Sequence, residues 1–328
     1  MAVSLLKFNP HPLLRSAHVQ TVLSSRLVRQ FDATGNDLLD QARTVTIECG
    51  DGVRLQAVVN ETSASQPLVI IIHGWLGRAD SPYVRRAAVA LNRAGFNVAR
   101  LLLRDHGDTG SLNEEMFNSA RIVEVVAATN WLVDQYGTAG GGIMGFSLGG
   151  NFALRVACNA SRHPRLQACL AVCPVIDPEK AVRAIDGGWV GYRWYFLRKW
   201  RQALVEKQGA FPDAYDLDAA LKLPSIAALT DYLVARHLPF VHSREYYQHY
   251  TLTGNGLAGL EIPTRILAAA DDPVVPIGDV ETLDGSRHLD VVVSRFGGHC
   301  GFIEDFRLRS ALDWYAPEFF TSKLFQTT

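Results

Sequence analysis

A serine, an aspartate and a histidine occupy places in this chain where they could work as one unit. Gly145-Phe146-Ser147-Leu148-Gly149-Gly150 directly follows the apolar run 142–146 (GIMGF) and opens a helical stretch. Glycines flank the serine where a Cβ would clash with the neighbouring strand and helix, so the hydroxyl is pushed out at a helix N-terminus, the context of a nucleophile elbow. A serine hydroxyl is a poor nucleophile until a base takes its proton, and that base needs a carboxylate to orient it. Downstream, Asp271 and Asp272 follow the run 265–270 (RILAAA), and His299 sits in the loop Phe296-Gly297-Gly298-His299-Cys300-Gly301-Phe302.

Asp272 is preferred as the orienting acid because Pro273 fixes the turn after it and gives the carboxylate a defined direction. Asp271 reads as a turn or helix cap, and Asp177, after the preceding strand, is the outside candidate. Charge developing on a substrate oxygen would need fixed donors, taken from the residue after the nucleophile and from an earlier strand-end loop. Those are the backbone N–H groups of Leu148 and of Trp75 in His73-Gly74-Trp75-Leu76-Gly77; His73 reads as a support for that loop. A phosphate-binding reading of the glycine turn fails, since the P-loop lysine and the G-x-G-x-x-G context are both missing.

Other polar clusters read as structural. Arg104-Asp105-His106-Gly107-Asp108-Thr109-Gly110 suits a capped turn better than a metal site, and the remaining histidines show no H-x-x-x-H spacing. No metal and no cofactor are expected. Cys300 reads as a packed thiol. The five cysteines (Cys49, Cys158, Cys169, Cys173 and Cys300) form no C-x-x-C pair and suit free thiols in a reducing compartment, so the cytoplasm is the expected location.

The elements that must position these residues follow an alternating order. Residues 43–49 and 53–60 flank Gly50-Asp51-Gly52 and read as an antiparallel hairpin at a sheet edge. The runs 68–72, 96–103, 142–146 and 166–176 are dense in apolar residues, as strands buried on both faces are. Helical stretches 82–94, 117–136 and 148–161 lie between them, 265–270 and 289–296 add two more strands, and 302–320 closes the chain as a helix. The whole is an α/β fold with a mostly parallel sheet and helices on both faces.

Residues 177–260 break the rhythm with one aromatic group around Trp189, Tyr192, Trp194, Tyr195, Phe196 and Trp200, and another at Tyr246, Tyr247 and Tyr250. This stretch reads as a helical cap inserted into a core formed by 1–176 and 261–328, with roughly the first 40 residues as an extension. Apolar residues make up 48% and charged residues 20% of the chain, which suits a packed globular protein, and a net charge of −1 provides no basic field for nucleic acid. No stretch reaches the roughly 18 to 20 apolar residues of a membrane span, which leaves peripheral contact as the one membrane option.

With these residues in view, the chain resembles the α/β-hydrolase superfamily along nearly its full length, and within it the YheT-like branch of medium-chain esterases and acyltransferases. The resemblance rests on Phe8-Asn9-Pro10 with His18-Val19-Gln20-Thr21, on the Ser147 elbow through Asn151, and on Asp272-Pro273 with Gly297–Phe302. It implies a core of about eight strands, a triad of Ser147, Asp272 and His299, and cofactor-free hydrolysis of a small-molecule ester through an acyl-enzyme. The branch often has an aromatic residue after Asp-Pro, whereas Val274 stands here. Acyl transfer through the same intermediate, and noncatalytic ligand binding on the same fold, are the competing expectations.

Overall fold

The computed structural model describes residues 3–26, 31–160 and 163–325. The strands are β1 (Val3–Leu5), β2 (Arg43–Glu48), β3 (Arg54–Asn60), β4 (Leu68–Ile72), β5 (Asn97–Leu102), β6 (Gly141–Phe146), β7 (Leu166–Val172), β8 (Thr264–Ala269) and β9 (Leu289–Ser294). They form one nine-stranded sheet in the order β1-β9-β8-β7-β6-β4-β5-β3-β2. Only β3 runs against its neighbours; every other pairing is parallel.

The helices are α1 (Ala17–Arg26), α2 (Ala33–Asp40), α3 (Pro82–Arg93), α4 (Ile122–Tyr136), α5 (Leu148–Ala157), α6 (Pro178–Gly187), α7 (Val190–Ala210), α8 (Ile226–His237), α9 (Ser243–Gln248) and α10 (Leu312–Leu324). Alternation along the strands decides the layers. Val69, Ile71, Met144 and Leu170 point to the face covered by α3 and α10, while Leu68, Ile70, Ile72 and Ile143 point to the face covered by α4 and α5. Leu68 through Ile72 have no exposed surface, and each such aliphatic side chain contributes about 1.5–3 kcal/mol by leaving water.

Several elements depart from the sequence reading. The sheet gains a ninth strand, β1, which pairs with β9; its three residues are exposed, and so short a run gives no alternation to announce a strand. The run 166–176 ends as a strand at Val172, because Cys173 takes φ 44° and Pro174 has no N–H to give the ladder. The helix expected over 117–136 begins at Ile122, since the amides of Phe117 and Ser119 go to Asp105 Oδ2 and the Tyr246 hydroxyl instead. The last helix starts at Leu312, residues 303 and 310 being paired across a loop. Helix α5 stops at Ala157, and residue 161 of the expected 148–161 stretch lies outside the described residues.

Between β7 and β8 the chain forms α6 to α9, which sit against the loops that follow β4 and β5. Lys199 Nζ on α7 donates to the Leu76 carbonyl at 2.8 Å. Lys207, also on α7, reaches Asp105 Oδ1 at 3.0 Å, an ion pair with both side chains nearly out of solvent. Among the described residues no helix is long and apolar enough to cross a membrane.

Candidate active site

The turn from β6 into α5 holds Ser147 at φ 55° and ψ −119°, a conformation rare for a residue with a side chain. Glycine is required on both sides of it. A Cβ at Gly145 would lie 2.0 Å from the Gly149 carbonyl oxygen, and one at Gly149 would lie 2.3 Å from that of His73. Ser147 N–H donates to the Val172 carbonyl, which ties the turn to the end of β7.

Asp272 and His299 arrive from the ends of β8 and β9 to complete a hydrogen-bonded row. His299 Nε2 is 2.8 Å from Ser147 Oγ, and His299 Nδ1 is 2.8 Å from Asp272 Oδ2. The other carboxylate oxygen of Asp272 accepts from the amides of Val274 at 2.8 Å and Val275 at 2.9 Å, so the turn begun by Pro273 holds it. With Nδ1–H donated to the carboxylate, Nε2 is left to accept the serine proton. Burial disfavours the imidazolium, but the Asp272 carboxylate, the adjacent Cys300 and the hydrogen bond to Asp272 outweigh it and push the ring up to about 9.

The rival carboxylates lie elsewhere. Asp271 Oδ1 accepts from the Gly298 amide at 2.9 Å, so it braces the histidine loop without meeting the ring, and burial raises its pKa. Asp177 caps α6 by accepting from the Lys180 amide at 3.2 Å and pairs with that lysine's ammonium at 3.5 Å.

Trp75 and Leu148 both stand beside Ser147, lining the same cavity, and among the described residues neither backbone N–H has a protein acceptor. Gly74 lets this loop approach: a Cβ there would be 3.3 Å from that of Ser147. His73 is buried and held neutral by desolvation; its Nδ1 donates to the Gly74 carbonyl and its Nε2 accepts from Leu103 N–H. The polar stretch after β5 is a set of ties. Arg104 pairs with Glu124 at 2.5 Å, His106 bonds the Arg104 carbonyl at 2.7 Å, and Asp108 pairs with Arg78 at 2.9 Å.

The sequence reading missed what the N-terminal segment does. The Thr21 hydroxyl on α1 accepts from the His299 amide at 2.9 Å and donates to the Ala17 carbonyl. Fully buried Gln20 grips both the amide and the carbonyl of Ile303, at 2.6 and 2.9 Å, and also bonds the Leu14 carbonyl. Gly298 fits under α1 only without a side chain, since a Cβ would lie 2.3 Å from the Ala17 carbonyl oxygen. The signal was present as His18-Val19-Gln20-Thr21, but a local pattern does not reveal a partner some 280 positions away.

Ser147 opens onto two cavities. The inner one, about 100 Å³, runs under α6, α8 and α9 and is walled by Leu148, Ile185, Ile226, Leu233, Tyr246 and Tyr250. The outer one, about 590 Å³, lies between α1, α7 and the Trp75 loop, with Arg26, Arg78 and Lys199 among its lining. Phe196 stacks on Trp75 at 5.4 Å and Trp200 meets it edge-on at 4.8 Å. Trp75, Phe196 and Val274 border both spaces. The aromatic group on the insertion thus divides: Phe196 and Trp200 face inward, while Trp189 and Trp194 are about half exposed, at 52% and 56%.

A sequence profile of the α/β hydrolase fold matches residues 67–306. The chain belongs to that family. It is 24% identical over 307 residues to the putative esterase YheT of Escherichia coli (strain K12), covering 90% of this chain and 87% of that one. A monoacylglycerol lipase of Saccharomyces cerevisiae (strain ATCC 204508 / S288c) is 22% identical over 264 residues, with 77% and 58% covered. Among solved structures, the Pyrococcus furiosus esterase Pf2001 superposes with a TM-score of 0.58 at 17% identity, covering 97% of this chain and 98% of that one, a likeness of fold.

Proposed function

We propose that this α/β hydrolase is a serine esterase that cleaves carboxylic esters of apolar short- to medium-chain acids through a triad of Ser147, His299 and Asp272. The observation that carries this reading is the Ser147–His299–Asp272 hydrogen-bonded row at the mouth of an apolar cavity. The names of the relatives, esterase and lipase, agree with it. His299 takes the Ser147 proton as Oγ attacks the ester carbonyl, and Asp272 stabilises the imidazolium that forms. The amides of Trp75 and Leu148 donate to the oxyanion. Collapse expels the alcohol, protonated by His299, and water activated by the same ring then releases the acid.

In this reading α6 to α9 form a cap. The acyl group occupies the inner cavity, whose wall is mainly aliphatic and aromatic, and the alcohol leaves through the outer one, where charged groups stand at the lining. A cytoplasmic location is part of the proposal and is supported by five cysteines that are all free thiols.

The test compares wild type and Ser147→Ala on nitrophenyl esters of increasing acyl length, with fluorophosphonate labelling of Ser147 alongside. Turnover and labelling lost together in the variant support the proposal. Full turnover by Ser147→Ala refutes it, and labelling without hydrolysis, with ester formation on added alcohol, assigns acyl transfer instead.

A further inference from the structure

Two cysteines that the proposed reaction does not use meet behind its histidine. Cys173 follows β7 and Cys300 follows His299, and both are buried and hold positive φ, at 44° and 61°. Their sulfurs and a His299 ring nitrogen all lie within 4.8 Å of one another. Each thiol leans on backbone: Cys173 Sγ donates to the Gly298 carbonyl at 3.8 Å and Cys300 Sγ to the Val172 carbonyl at 3.6 Å. Cys300 alone among the five cysteines borders the outer cavity, onto which Ser147 also opens.

We propose that Cys173 and Cys300 form an oxidation site, in which a hydroperoxide entering by the outer cavity converts the two thiols into a disulfide beside His299. Cys300 sulfur attacks one peroxide oxygen, the O–O bond breaks, and Cys300 becomes a sulfenic acid as the first water (or alcohol) leaves. Cys173 sulfur then attacks the sulfenic sulfur, forming the S–S bond and expelling a second water. Two thiols lose two electrons and two protons, and the peroxide takes up both. A reducing dithiol reverses the change by exchange.

The chemical inequality of the cysteines fits this order of events. Burial raises the Cys300 pKa, but the neighbouring Cys173 thiol and the charge of His299 outweigh it and lower it from the ordinary thiol value. Burial drives Cys173 upward, as it does Cys169, and it holds Cys158 at about 11 and Cys49 at about 12. Cys300 is therefore the attacking sulfur and Cys173 the resolving one. Closing the sulfurs from within 4.8 Å to the ~2.05 Å of a disulfide draws on the residue bonded to His299, which displaces the ring from its 2.8 Å contacts. That effect on turnover rests on the role proposed for His299; the cross-link does not.

The full-length chain is treated with hydrogen peroxide, its remaining thiols are blocked with N-ethylmaleimide, and linked peptides are mapped by mass spectrometry while ester turnover is followed. The expected result is one Cys173–Cys300 linked peptide, a loss of about 2 Da, and a fall in turnover of about ten-fold or more that dithiothreitol restores. Cys173→Ala keeps its basal turnover and yields no linked peptide. Links through Cys49, Cys158 or Cys169, or sulfinic or sulfonic acid alone, overturn the proposal; a Cys173–Cys300 link with unchanged turnover upholds the oxidation site and overturns its effect on His299. A Cys173–Cys300 link in a chain that turns over no ester upholds the oxidation site and removes the esterase reading.

Discussion

Replacing Asp272 by asparagine should cost far more than the loss of one charge, and the reason lies in its other oxygen. Oδ1 accepts from two amides, Val274 and Val275, so in Asp272→Asn the carbonyl oxygen must stay there, since an NH2 group would set donor against donor. The asparagine NH2 then faces His299 Nδ1 and donates to it. The ring is driven into the tautomer protonated at Nε2, which can no longer take the proton of Ser147 across the 2.8 Å contact. In serine enzymes where aspartate-to-asparagine enforces this tautomer, kcat falls by about 10⁴-fold, or about 5.4 kcal/mol of barrier. Asp271→Asn, whose carboxylate bonds the Gly298 amide and not the ring, should lose no more than about ten-fold. Steady-state kcat on a nitrophenyl ester, with thermal melts to establish that both variants fold, decides the matter. Asp272→Asn retaining a tenth of wild-type kcat, or Asp271→Asn falling as far, would show that the orienting acid is wrongly assigned.

In the proposed mechanism turnover needs a neutral imidazole, and because the His299 pKa is raised to about 9, kcat/KM should climb with pH between 7 and 9, with Cys300→Ser moving the midpoint down. The same raised pKa makes the charged pair stabilise the fold fully below the unfolded value near ~6.5, a contribution lost as pH rises toward 9, which urea midpoints across that range will report. Thr21→Val leaves the His299 amide without its acceptor, worth about 1–3 kcal/mol, so kcat should drop by about ten-fold or more with KM little changed, and Thr21→Ser should recover it. Lys207→Ala strands Asp105 in a buried site and should lower unfolding free energy by about 3–5 kcal/mol; a melting temperature that does not move contradicts the tie between α7 and the β5 loop.

The residues that carry the proposed chemistry were legible because each sits in a local pattern with one physical explanation. Gly145 and Gly149 announce a turn that admits no Cβ, and the contacts of 2.0 and 2.3 Å are that requirement in space. Asp272 could be told from Asp271 by Pro273, whose turn supplies the two amides that fix one carboxylate oxygen. Strands β4 to β9 were visible as apolar runs because both faces of the sheet are covered. By contrast β1 has exposed side chains and exists only because β9 offers it a free edge. The late starts of α4 and α10 were equally hidden, since the bonds that hold those loops come from Tyr246 and Gln20, far away in the chain.

By itself, then, the sequence determined which residues could act and the order of strands and helices that would carry them, because turn chemistry and apolar periodicity are local properties. Distances were decided only by the tertiary structure. The grip of α1 on the His299 loop, the meeting of Cys173 with Cys300, and the two cavities that open at Ser147 all join segments remote in the chain. Such contacts leave no periodic trace, because what fixes them is the packing of whole elements against one sheet rather than the preference of any residue for its neighbours.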